Sequence, residues 1–363
     1  MVTYRIAVIP GDGIGPEVLA EGVKTLECVA ALDQDLNLEW EFFPWGSAYY
    51  QKTGRMMSLD ALEILKGFDA IYLGAVGSPE VPDHTSVRLV LEIRSAFEQY
   101  VNLRPIKLLQ GVQSPLRDKG PTDIDLVIVR ENTEGEYTPV GGIVFPDTLF
   151  ETATQVNVFT RKGIERIMGY GFELAQKRRG RLTSVTKSNA LQYSMVLWDK
   201  IFYEQAREHP AVSSCSILVD AMAMYLVREP ENFDVVVTSN LFGDILSDLG
   251  AALQGGLGFA PGANLDPTGK YPSMFEPIHG SSPKMAGKGI ANPIATIWAG
   301  SMLLEHLGEV RWSKEILAAI EDVLVEGRVR TQDIGGNSTT REMGDAIRQR
   351  LRKRVEERGV DDG

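Results

Sequence analysis

FDVVVTSNLFGDILSDLGAAL, residues Phe233 to Leu253, opens on a strand pattern and closes on a helical one. Phe233 to Val237 reads as an apolar, β-branched strand buried on both faces. A polar turn, Thr238 to Asn240, leads into a helix that carries Asp244 and Asp248 four residues apart, so both carboxylates share one face. Like charges at that spacing repel by about 0.2–0.5 kcal/mol on an exposed helix. Leu246, Leu249 and Leu253 can pack inward, which leaves the acid pair projecting at the carboxyl end of a strand, where open α/β sheets bind their ligands. Two oxygen donors there suit a divalent cation. Taken alone, the pair fits two solvated acids on an amphipathic helix better than a metal site.

Outward from this stretch, strands alternate with helices. Tyr4 to Ile9 reads as a strand, PGDGIGPE as a turn, and Pro16 to about Ala31 as a helix. Gly11, Gly13 and Gly15 are spaced G-x-G-x-G and no βαβ unit with a well-placed acid follows, so an ordinary Rossmann site is rejected. Further strands are expected at Ala70 to Leu73, Ile124 to Val129, Leu182 to Thr186 and Ile217 to Val219. Helices are expected at Leu59 to Lys66, Ser86 to Tyr100, Phe159 to Lys177 and from Ala190 onward. Gly141 to Phe159 suggests an extended arm or hairpin, and Gly255 to Pro293 a long Gly- and Pro-rich loop of the kind that binds something. The final third reads as helical apart from a second loop, Gly327 to Asn337. The alternation predicts an α/β layered fold.

With 363 residues the chain suggests two domains or one large α/β unit. Its 44% apolar and 24% charged residues are those of a globular protein in water. A formal charge of -12 argues against sequence-independent binding to nucleic acid or an anionic membrane. The basic run RQRLRKR is followed by Glu356, Glu357, Asp361 and Asp362, which makes it a solvated terminal helix rather than a patch. Cys28 and Cys215 are far apart and read as small core residues of a reducing compartment. With no room for a signal peptide before the first strand and no run of membrane-spanning length, a cytoplasmic location is expected.

Several side chains stand where elements end. Arg94 falls late in a helix, Arg104 in the loop after it and Arg130 at the end of a strand; three converging guanidinium groups would clamp a dicarboxylate. Tyr137 follows Arg130 within one loop, and a phenol with a pKa lowered by cationic neighbours could donate a proton. Lys187, in TKSN after a strand, is a candidate base if buried near a metal. Asp220, after another strand, would join Asp244 and Asp248 as a hard-cation set suited to Mg²⁺ or Mn²⁺. His279 has no companion at zinc-ligand spacing and fits a cofactor contact or a satisfied loop residue.

Together these pieces resemble the β-decarboxylating 2-hydroxyacid dehydrogenases, which act on 3-isopropylmalate, isocitrate, homoisocitrate or tartrate and D-malate. The likeness runs through IPGDGIGPE, NLRP, VRENTEGEY, TKSN, VDAMAMYLV, NLFGDILSDL, FEPIHGSSP, KGIANP and GGNSTT, in that order, and so covers nearly the whole chain. It implies the two-domain α/β fold of isopropylmalate and isocitrate dehydrogenases, which is not a Rossmann fold. One domain, 1–99 plus 252–363, would bind the dinucleotide; the other, 100–251, would carry the dimer contacts, the substrate and metal site, and an arm near 139–158. The resemblance implies a homodimer with shared active sites. Asp244 and Asp248 of one subunit would ligate the metal together with the partner's Asp220, with Lys187, also from the partner, as base. Tyr137 would be the proton donor, Arg94, Arg104 and Arg130 the holders of the leaving carboxylate, and Asn189 a contact on the nicotinamide side.

The same likeness carries a cofactor set: Ile14, Glu276, His279, Gly280, Ser281, Ser282, Lys284, Asn292 and Asp333. NAD-linked members usually carry Asp where Lys284 stands, yet Met285 replaces the tyrosine of NADP enzymes and Asp333 opposes a 2′-phosphate, so NAD is expected. In the helix before Arg94, HTSVRLVLEIR lacks both the acid of the isopropylmalate group and the Ser/Asn pair of the isocitrate group. That makes Val90 and Arg88 the candidate specificity residues and places the chain nearest the tartrate/D-malate branch, for which a monovalent cation such as K⁺ assists. A small dicarboxylate is the expected substrate, oxidised with or without loss of CO₂.

Overall fold

The computed structural model describes residues 1–361, which form two compact units. Twelve strands occur in chain order: β1 (Val2–Gly11), β2 (Leu36–Phe42), β3 (Ala70–Ala75), β4 (Val101–Lys107), β5 (Asp125–Glu131), β6 (Gly141–Val144), β7 (Thr152–Gln155), β8 (Arg181–Thr186), β9 (Ser213–Leu218), β10 (Val235–Thr238), β11 (Pro261–Leu265) and β12 (Ser273–Pro277).

The first unit takes Met1–Gln99, Lys107–Pro121 and the chain from Ala251 onward. Its strands run in the order β2-β1-β3-β12-β11. All neighbours pair in parallel except β11 and β12, which are antiparallel. Ile6, Ala7, Val8 and Ile9 of β1, and every residue of β3, are buried. This explains why neither strand alternates: helices cover both faces of a parallel sheet. The helix Ile294–His306 is buried on all sides from Ile294 to Leu304. Tyr72 of β3 is fully buried, its hydroxyl donating to the Thr296 carbonyl at 2.6 Å. Burial pushes that phenol's pKa well above its usual value.

The second unit comprises Tyr100–Ile106 and Thr122–Gly250. Its strand order is β4-β5-β10-β8-β9, with β5, β10, β8 and β9 all parallel. The four residues of β10 are buried, as the apolar run at Phe233 to Val237 predicts. Asp234, inside that run, is buried too, and its carboxylate accepts from Arg178 Nε and the Arg179 amide, each at 2.8 Å. The hairpin β6–β7 lies where an arm is expected and exposes Ile143, Phe145, Leu149 and Phe150.

The structure departs from the sequence expectations in several places. Gly255 to Pro293 is not one long loop: it contains β11 and β12, whose ends at Pro261 and Pro277 look like loop punctuation. The turn between them is organised by the Asp266 carboxylate, which accepts from the amides of Thr268, Lys270 and Tyr271. NLRP belongs to β4, so Arg104 sits on a strand rather than in a loop. The expected helix at Ser86 to Tyr100 is two, Asp83–Ser86 and Arg88–Ala96. The helix expected from Ala190 starts at Ser194. Strand β2 and the helix Ser47–Thr53 are additions, and residues 107–121 join the first unit rather than the second. Cys28 is buried, but Cys215 is exposed on β9 rather than in a core. No helix among the described residues is long and apolar enough to cross a membrane.

Tyr72→Phe removes one buried hydrogen bond from a carbonyl inside a helix. It should lower unfolding free energy by about 1 kcal/mol, read as a lower urea midpoint at unchanged slope.

Candidate active site

Four elements of the second unit bring charged side chains together: β4, the carboxyl end of β5, the loop after it, and the helix Asn240–Leu253 after β10. The parallel register pairs Thr238 with Arg130, so the ends of the two strands lie side by side. Arg130 is 1% exposed. Its Nε and Nη2 both donate to Asn240 Oδ1, at 2.9 and 2.7 Å, and its Nη1 pairs with Asp244 Oδ1. Asn240 is in turn oriented by donating to the Glu134 carbonyl at 3.0 Å. Arg104, 6% exposed, donates to Ser247 Oγ at 2.5 Å and to Asp244 Oδ1 at 3.3 Å, and stands 3.9 Å from Asp248. Tyr137 Oη donates to Asp244 Oδ2 at 2.9 Å, with the Arg130 guanidinium 5.3 Å from its ring centre. A single carboxylate is thus gripped by two arginines and a phenol.

Electrostatics follow from this packing. Burial raises the Asp248 pKa, Arg104 opposes the shift and Asp244 adds to it. Burial and the Asp244 charge raise the Tyr137 pKa, although Arg130 and Arg104 pull the other way. The lowering that cationic neighbours would produce is therefore outweighed, and the phenol holds its proton at neutral pH.

A second cluster sits at the end of β8. Lys187 Nζ donates to Asp220 Oδ1 at 2.6 Å, and this bond lowers the Asp220 pKa. Asp220 lies in the first turn of the helix Val219–Arg228, and Asn189 is exposed beside Lys187. Among the described residues no three His, Cys, Asp or Glu side chains gather to hold a metal ion. Within one chain, Asp244 and Asp248 supply two oxygen ligands from one helix face, half or less of what a hard cation requires, while Asp220 is committed to Lys187. The donor chemistry of this carboxylate pair fits Mg²⁺ or Mn²⁺.

Several of the expected cofactor residues lie close to one another within the first unit. Gly13, at φ +59°, lies so near the Ser281 backbone that a Cβ would come 2.0 Å from its carbonyl oxygen. Ile14 N donates to that same oxygen at 2.8 Å. Glu17 binds the Gly287 and Gly289 amides, and Thr340 N reaches the Gly289 carbonyl at 2.8 Å. Asn292 donates to Asp333 Oδ2 at 2.9 Å, and Thr331 binds the other oxygen. Burial lowers the His279 pKa, and its Nε2 is buried with no hydrogen-bond partner among the described residues. That orphan atom fits a ligand in this cradle. Gly280 and Lys284 are exposed, Ser282 adopts φ +41°, and Met285 packs on Ile14, Val18 and Ala291.

Three expected contacts have other partners. Glu276 is paired with Arg94 at 2.8 Å inside the first unit. Val90 is 7% exposed and packs in the core with Leu89 and Ile93. Arg88 lines a cavity of about 520 Å³ with Tyr50, Arg55, Met56, Met57 and Glu92. Asn240, Ser247 and Asp12, whose carboxylate takes the Ser47 amide and hydroxyl and the Gly77 amide, escaped the sequence reading. Asn240 opens the helix after β10, a position where a polar residue is a weak but available signal.

The fold and the strand-end cluster mark an α/β protein with a charged site at the carboxyl ends of its strands. The chain belongs to the isocitrate/isopropylmalate dehydrogenase family, whose model matches residues 5–347. It is 52% identical to the D-malate dehydrogenase (decarboxylating) of Escherichia coli over 96% of this chain and 98% of that one. It is 50% identical to the tartrate dehydrogenase/decarboxylase of Pseudomonas putida, again over 96% and 98%. Among solved structures, the isocitrate dehydrogenase of Methylococcus capsulatus matches with a TM-score of 0.86 at 37% identity, covering 96% of this chain and 99% of that one.

Gly243, one residue before Asp244, has no room for a side chain. A Cβ there would fall 2.7 Å from Cβ and Cγ of the immobile Arg130 and 2.3 Å from Thr238 Oγ1. Gly243→Ala should displace Arg130 and cost about 1–3 kcal/mol of stability, with dehydrogenase activity lost more steeply than fold, measured by thermal melts beside turnover.

Proposed function

We propose that the protein oxidises small 2-hydroxy diacids, D-malate and tartrate foremost, with NAD and a divalent cation, decarboxylating where the product allows. The observation that carries this reading is identity of about half the residues, over nearly the full length of both chains, to relatives named for those two activities. The helix Arg88–Ala96 supports it, because neither the isopropylmalate acid nor the isocitrate Ser/Asn pair is present there.

Asp244 and Asp248 would hold the cation together with the partner's Asp220, and the cradle around Ile14, His279, Ser281, Asn292 and Asp333 would hold NAD. When bound, the cation supplies acidification of the substrate hydroxyl and stabilisation of negative charge at that oxygen, and NAD supplies the hydride acceptor. Arg104 and Arg130, held by Ser247 and Asn240, grip the carboxylate that departs, and the family likeness gives Arg94 a substrate role as well. The partner's Lys187 takes the hydroxyl proton on Nζ, and the partner's Asp220, hydrogen-bonded to it, aims it. Tyr137, which keeps its proton at neutral pH, returns one to the carbon that loses CO₂. Asp333, an anion among the expected cofactor residues, would oppose a 2′-phosphate and so favours NAD over NADP.

A homodimer completes the site. In support, Tyr193, Val196, Tyr203, Met224, Val227 and Ile245 of the second unit expose apolar surface, as does the hairpin β6–β7.

Two measurements test the proposal. Initial rates with D-malate, tartrate and 3-isopropylmalate, each with NAD or NADP and Mn²⁺, should favour the first two diacids and NAD. Equal or greater kcat/KM for 3-isopropylmalate overturns the substrate assignment. Separately, Asp220→Asn and Asp244→Asn should each be inactive, yet co-expression should restore about a quarter of wild-type activity, because half of a random mixture is mixed dimers with one intact site. No recovery argues against sites shared between subunits.

A further inference from the structure

The ion pair between Arg94 and Glu276 is among the most enclosed charge pairs of the first unit. Arg94 Nη2 donates to Glu276 Oε1 at 2.8 Å, with the two side chains 8% and 12% exposed. Asn264 Nδ2 donates to the same oxygen at 2.7 Å. The three residues come from three elements: the last turn of the helix Arg88–Ala96, β12 and β11. Arg94 Nε is buried and has no hydrogen-bond partner among the described residues.

Stability alone gives weak reason for such an arrangement. Desolvating two charges offsets most of their attraction, and an apolar pair of similar size commonly serves a core as well or better. An unpartnered N–H on one of those charges adds a further cost. What the arrangement does provide is orientation. A guanidinium is planar with its donors in a fixed fork, so anchoring one nitrogen restricts the direction of the others. Anchoring Nη2 to a carboxylate that is itself held by Asn264 leaves Nε–H waiting for an anion.

We propose that Glu276 is a positioning residue for Arg94: with Asn264 it pre-sets the guanidinium so that Nε receives a carboxylate oxygen of the substrate. The inference rests on Arg94 being a substrate contact, as in the proposed function. It departs from the expectation that Glu276 contacts the dinucleotide. The loss on removing Glu276 falls on the diacid, since the guanidinium must be ordered at each binding event, and not on the cofactor.

The test is steady-state kinetics on the full enzyme with Mn²⁺, varying the diacid and NAD independently, for Glu276→Ala, Glu276→Gln and Arg94→Lys, with circular dichroism to confirm folding. Glu276→Ala should raise the diacid KM roughly tenfold or more and leave the NAD KM within about twofold. Glu276→Gln keeps an oxygen acceptor for Nη2, so its diacid KM should stay within about threefold of wild type. It also keeps the test decisive if the alanine variant fails to fold. A rise in NAD KM with an unchanged diacid KM in either glutamate variant assigns Glu276 to the cofactor and overturns the proposal. Equal rises in diacid KM for alanine and glutamine overturn it too, because charge rather than geometry is then at work. An unchanged diacid KM in Arg94→Lys removes the substrate role of Arg94 itself, and the inference falls with that reading. An unchanged diacid KM in Glu276→Ala beside a raised one in Arg94→Lys defeats the positioning role alone.

Discussion

The grip of Arg130 on Asp244 is the contact around which the second unit's functional end is built. A guanidinium 1% exposed cannot stand without anionic and carbonyl-type acceptors, and it finds them in Asp244 and Asn240, one turn apart on a single helix. That helix must therefore start directly after β10 and come close to β5, which only a residue without a side chain at Gly243 permits. Arg104 and Tyr137 then converge on the same carboxylate. The result is a compact cluster in which two guanidinium groups face two carboxylates, in a protein of net charge -12.

In the first unit the same logic runs in reverse, with carboxylates serving as acceptors that shape backbone. Asp12 binds the amides of Ser47 and Gly77, Glu17 those of Gly287 and Gly289, and Asp266 three amides of the turn between β11 and β12. Asp12 and Glu17 tie together loops distant in sequence, Asp266 closes its own turn, and each satisfies backbone donors. This is how glycine-rich turns become a rigid cradle without regular structure. Arg94, Glu276 and Asn264 extend the pattern from backbone to side chain, each fixing the direction of the next.

Much of this was legible in the chain itself. The buried parallel strands announced themselves as unbroken apolar runs, because both faces of such strands are covered. Asp244 and Asp248 were readable as a pair because helical periodicity is strict, and Lys187 and Asp220 because each follows a strand. What escaped had a common cause. β11 and β12 are short, bounded by Pro261 and Pro277, and rich in residues that usually mark loops, so their strand character comes from pairing rather than propensity. β4 was hidden by the proline of NLRP. Cys215 looked like a core residue, but an apolar neighbourhood in sequence does not say which face of an edge strand a side chain takes.

The order of elements, the alternation that makes an α/β protein, and the chemical types able to bind a diacid and a hard cation were determined by the sequence alone. These depend on local periodicity and on side-chain identity, both of which a linear string carries. Which groups are partners was decided only in three dimensions. Asn240 as the second hold on Arg130, Glu276 turned toward Arg94, Val90 withdrawn into the core and Tyr137 kept protonated all arise from residues brought together across 40 or more positions of chain, or from burial that no single residue reports. The direction of a pKa shift is a property of the packed environment, and packing exists only after the chain has folded.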